Sequence, residues 1–168
     1  MPDFAPATIL IGGDVTRAQL DALLANIKSA GYDMERHDGS NGPFTTVEAL
    51  LEDIDSNNHL HFHESQVPNG ALEELETFLR KNGFAYNRYS DASDGFTPCV
   101  NFYRVGFKED VDLPTDDTGE PIIPAAAAIQ AYEALKVGNV HEALEVLAPC
   151  QRYYVPPLPP LNVIDGGT

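Results

Sequence analysis

The chain has 168 residues, 43% hydrophobic and 21% charged, a composition that supports one globular domain with a real core and argues against intrinsic disorder. Its 26 acidic and 10 basic residues give a formal net charge of -16, a field that repels phosphate backbones and disfavours direct nucleic-acid binding. No stretch approaches the roughly 20 apolar residues of a membrane span, and the start, MPDFAPATIL, lacks the basic and apolar run of a secretory leader. A cytoplasmic location without membrane contact is expected, with Cys99 and Cys150 as free thiols because they form no CxxC or zinc-ribbon spacing.

ATILIGG reads as a first strand, ending in GGD as a tight turn into a helix. TRAQLDALLANIKSAG then carries Leu20, Leu23, Leu24 and Ile27 on one helical stripe. Thr16 and Gln19 form a capping box, and Gly31 closes the helix in the left-handed conformation. A second strand follows, with Tyr32 and Met34 inward and Asp33, Glu35 and His37 on the opposite face. TTVEALLEDIDSNN predicts a short inserted helix capped by Thr45 and Glu48.

The opening plan returns 52 positions later. HLHFHESQ is the strand and NGALEELETFLRKNG the helix, so that Leu20 matches Leu72, Leu23 matches Leu75, Ile27 matches Leu79 and Gly31 matches Gly83. A fourth strand follows at about Phe84 to Ser90. Two β-α-β halves in tandem predict an α+β fold, the ferredoxin-like β-α-β-β-α-β sandwich, with both helices on one face of an antiparallel sheet ordered 4-1-3-2.

CVNFYRVGF adds a fifth, edge strand, completing a domain over 1–108. An acidic loop spans 109–123. A helical hairpin at 124–150, with its second helix capped by Asn139 and Glu142, is expected to pack on that domain. Its AYEAL and EALEVL segments resemble one tetratricopeptide-type unit, but such repeats need about three copies to bury a continuous core. The proline-rich tail, 151–168, should be extended, because proline cannot donate a ladder hydrogen bond.

Alternation in HLHFHESQ puts Leu60 and Phe62 under the helices and His59, His61 and His63 on the open sheet face, beside Ile9, Ile11 and the outward residues of the second strand. Histidines two apart on a strand are about 7 Å from one another, close enough to share a zinc or other transition-metal ion, whereas those four apart are not. The candidate metal set is His61 and His63, or His59 and His61, completed by His37 or Glu35. No GxSxG, P-loop, GxGxxG or HExxH motif occurs, so no hydrolase, nucleotide-binding or metalloprotease chemistry is signalled.

No Lys or Arg occurs between Arg36 and Arg80. The candidate binding surface is therefore Glu48, Glu52, Asp53, Asp55, Glu73, Glu74 and Glu76, with His59, His61 and His63. The reading is a small, acidic, non-enzymatic regulator or inhibitor that needs no cofactor and binds a protein with a basic surface. One version has its carboxylates mimic nucleic-acid charge and block a nucleic-acid-handling enzyme. The alternatives are a metal-dependent enzyme or metal sensor using the strand HxH site, and a homodimer formed through the open sheet face.

Overall fold

The computed structural model describes residues 4–31, 35–36 (backbone only), 44–92 and 97–165. The fold is α+β, built on strands β1 (Phe4–Thr16), β2 (Glu35–Arg36), β3 (Leu60–Pro68), β4 (Ala85–Ser90), β5 (Cys99–Tyr103), β6 (Val111–Pro114) and β7 (Leu161–Ile164). Helices α1 (Arg17–Ala30), α2 (Val47–Glu52) and α3 (Glu73–Lys81) interrupt the strands, and α4 (Ala125–Lys136) and α5 (Val140–Leu147) follow them. The sheet runs β2-β3-β1-β4-β5-β6, each pair antiparallel, while β7 runs parallel to the distal half of β1. Among the described residues no helix is long and apolar enough to cross a membrane.

Local chemistry sets the helix ends. Thr16 and Gln19 make the reciprocal capping box, and Gly31 closes α1 at φ 70°, where a Cβ would be strained. The α2 cap lies one residue beyond expectation. The Thr46 side chain accepts from the Ala49 N–H, leaving the Thr45 carbonyl to Lys28 Nζ at 3.1 Å.

One core fills the helical side of the sheet. Leu20, Leu23, Leu24 and Ile27 of α1 and Leu75 and Leu79 of α3 pack on Ile9, Ile11, Leu60, Phe62 and Tyr86. Ile9 pairs with Phe62 and Ile11 with Leu60. Both isoleucines thus face the helices, and the expectation that they flank the histidines fails because cross-strand partners share a face. Thr8 and Leu10 stand there instead.

The sheet is wider than the expected five strands. Val111–Pro114, inside the segment expected to be loop, pairs with β5 as β6, so β5 is interior and not an edge. Asp116 Oδ1 organises the turn beyond β6, accepting from the N–H groups of Thr118 and Glu120 and from the Thr118 hydroxyl. GGD is not a turn either. β1 continues through it to Thr16, and Gly12 and Gly13 mark where another backbone crosses the strand.

That backbone is the tail. Val100, Phe102 and Leu113 form a second cluster on the face away from the helices, packed by Tyr153 and Val155. The chain then crosses to β1, where Gly13 N–H donates to the Pro160 carbonyl at 3.1 Å, and continues as β7. A Cβ on Gly12 would overlap the Pro159 carbonyl oxygen. In the C-terminal hairpin α4 packs on α5, and α5 on the 3-10 helix Ala148–Tyr153.

Candidate functional site

The histidines at and just before the start of β3 share a face but not an environment. His59 is buried beneath the tail, with Nε2 3.2 Å from the Leu158 carbonyl and Nδ1 3.4 Å from Asp55 Oδ2. His63 is half-buried, its Nδ1 3.0 Å from the Thr8 hydroxyl. His61, half-buried between them, pairs with Leu10. Backbone register sets Glu35 opposite His63, whereas the side chain of Glu35 and all of His37 lie outside the described residues. Among the described residues no three His, Cys, Asp or Glu side chains are grouped to hold a metal ion.

Arg104 holds the tail against this face. Its guanidinium donates to the carbonyls of Tyr86 and Tyr103 at 2.9 Å, to Asn87 Oδ1 at 2.8 Å and to the carbonyls of Pro156 and Pro157. Sheet and tail thus share one buried cation. At the far end Asn58 exchanges two 2.7 Å bonds with the backbone of Leu161.

The predicted acids divide by environment. Glu48, Glu52, Glu73 and Glu74 are exposed and Asp53 is half-exposed. Glu48 pairs with Arg17, whose hydrogen bond holds its carboxyl below the usual range. Asp55 instead organises the turn into β3, accepting from the N–H groups of Asn57 and His59 at 2.8 Å. Burial pushes its carboxyl up, but those bonds and the adjacent His59 bring it below the ordinary value.

Glu76 does not belong to the surface. It is 4% exposed, accepts from the Leu72 N–H at 3.0 Å and pairs with Arg88 at 2.8 Å. Burial is the main influence on its carboxyl and raises it despite Arg88. Around this pair, between α3 and strands β4 to β6, lies a polar cleft lined by Glu73, Arg80, Asn101, Asp110 and Asp112. Arg80 pairs with Asp110 at 2.5 Å, and Asn101 donates to the same Asp110 oxygen at 2.9 Å. Arg88 also reaches Asp112 and Cys99 Sγ.

Two features escape sequence reasoning. Arg88 and Arg104 are interior cations, though nothing in their spacing separates them from surface arginines. On α4 and α5 the buried residues are small, Ala131, Ala134 and Ala143, while Ile129, Tyr132, Leu135, Val140 and Leu144 are half or more exposed. The signal for the second was present: a helix apolar on more than one side needs more than one neighbour.

The chain matches no protein-family model, no curated protein and no solved structure significantly.

Proposed function

We propose that the protein is an acidic binding regulator that engages a protein with a basic surface. One observation carries the reading. Folding leaves sixteen carboxylates exposed among the described residues against six Lys or Arg side chains. Arg88 and Arg104 are drawn inside together with Glu64 and Glu76, so the exposed surface keeps the acidic excess of the composition.

Glu48, Glu52 and Asp53 on and after α2, Glu73 and Glu74 on α3, and Asp112, Asp116, Asp117 and Glu120 around β6 supply fixed negative charge on ordered backbone. Such a field accelerates encounter with a cationic surface and competes for a nucleic-acid channel by charge. The ferredoxin-like reading of the core is supported by the adjacency β2-β3-β1-β4 and by α1 and α3 sharing one side of those strands. β5, β6 and β7 lie outside that pattern.

The test is capture of partners from lysate on the immobilised full chain, with release by salt and by added duplex DNA. The expected result is a partner whose log Kd changes steeply with log salt and which duplex DNA displaces. Substituting Glu48, Glu52, Glu73 and Glu74 together by Gln should weaken that partner at least tenfold. Binding indifferent to salt, DNA and these four residues overturns the reading.

A further inference from the structure

We infer that the α4–α5 hairpin is a self-association surface whose occupant is the hairpin of a second copy of this chain. The helices meet through alanines, Ala131 and Ala134 on one and Ala143 on the other, so their larger apolar side chains are left over. Ile129, Tyr132 and Leu135 recur every third residue of α4 and are 63%, 63% and 50% exposed; Val140 and Leu144, four apart on α5, are 56% and 63% exposed.

Helical geometry places both stripes on one side. At about 100° per residue the α4 stripe lies roughly 130° round from its buried alanines and the α5 stripe roughly 90° round from its buried side, in the same rotational sense. In two antiparallel helices an equal sense of rotation from the mutual contact points to the same side of the pair. The five side chains therefore form one surface, while Val137, 78% exposed, lies on the other side of α4. Even at roughly 150 Å² for each full side chain, the low end of the aromatic range, the exposed fractions of the five amount to on the order of 450 Å². That is within the range of the largest, often functional, patch of an ordinary monomer and somewhat over half of the roughly 800 Å² each partner contributes to a stable complex, the rest of which is polar rim.

Charge selects the occupant. Residues 125–150 contain three carboxylates, Glu133, Glu142 and Glu145, against Lys136, a net of -2 in a chain of -16. Lys136 and Glu133 flank the α4 stripe and pair with each other at 3.4 Å. Two copies thus meet with least repulsion here, whereas a basic partner has little to hold. Paired by a two-fold axis, the hairpins make a four-helix bundle that is closed and self-complementary. The open sheet face is a poorer dimer surface, since the tail already packs on Val100, Phe102 and Leu113 and over His59.

This inference is independent of the charge-based reading and carries the opposite salt dependence. The experiment is sedimentation equilibrium of the full chain from about 1 to 100 µM at low and high salt, for wild type and for Tyr132→Glu/Leu144→Glu. The wild type should have twice the chain mass, with dimerisation tightened by salt as repulsion is screened. The double variant should be monomeric with unchanged far-UV circular dichroism. A second variant, Ile129→Ser, replaces an exposed side chain without adding charge and should raise the dimer Kd at least tenfold. A wild-type monomer at 100 µM overturns the inference, and so does a dimer unaffected by either variant.

Discussion

Arg104 Nε lies 3.3 Å from the carbonyl oxygen of Pro157, and this bond joins the end of β5 to a segment 53 residues away. The same guanidinium binds the carbonyls of Tyr86 and Tyr103, so removing it leaves acceptors unpaired on both sides. Arg104→Leu should cost about 2 to 4 kcal/mol in urea unfolding and expose the peptide bonds around 155–160 to limited proteolysis. Arg104→Lys should restore less than half of the loss, since an ammonium cannot reproduce the planar fork. A tail equally protected in Arg104→Leu would show that the strap is held elsewhere.

Gly12 is glycine because the Pro159 carbonyl occupies the place of its Cβ. That neighbour is backbone and cannot rotate away. Gly12→Ala should destabilise the protein by about 1 to 3 kcal/mol, measured as a fall in Tm. If the crossing is the cause, the penalty should largely disappear when Gly12→Ala is combined with Arg104→Leu, which frees the tail. Additive losses in that double-mutant cycle would place the strain in β1 itself.

Glu76 and Arg88 are an ion pair with both side chains nearly inaccessible, 6% and 5% exposed. Glu76→Ala leaves Arg88, among the described residues, with exposed Asp112 as counter-ion and should cost about 3 to 5 kcal/mol. Replacing both by apolar residues of similar volume, Glu76→Leu with Arg88→Met, should be less damaging than Glu76→Ala alone, because no uncompensated charge remains buried. Denaturant midpoints of the three proteins decide this.

Acid should weaken the fold through Asp55 and Asp110. Burial pushes the Asp110 carboxyl up, but the bond from Asn101 and the Arg80 guanidinium outweigh it and hold it below its ordinary value. A depressed folded-state pKa means the stabilisation is complete above the unfolded value, near 3.9, and is lost as pH falls through the folded value. Urea midpoints should therefore drop below about pH 4. Asp110→Asn should lose about 1 to 3 kcal/mol at pH 7 and show a shallower acid decline. Parallel profiles for the two proteins would assign the acid limb to other groups.

Much of the local structure was legible because it depends on near neighbours. Thr16 and Gln19 cap α1, Gly31 ends it, Asn139 caps α5, and the Leu20, Leu23, Leu24, Ile27 stripe faces the core, all from interactions within one turn of helix. Alternation in β3 also sorted Leu60 and Phe62 from the histidines. The same reasoning misassigned Ile9 and Ile11, since a strand's period leaves open which of its two faces meets the helices.

The acids show the same boundary more sharply. Glu73, Glu74 and Glu76 are equivalent in the sequence, yet the turn of α3 exposes the first two and aims the third at Arg88 on β4. Composition and net charge determined the sign of the surface field. Tertiary structure decided which charges contribute to it, because burial and pairing depend on residues far apart in the chain. It alone brought Pro156 to Pro160 across β1 and β4, sealing His59, and left the apolar side of α4 and α5 exposed among the described residues.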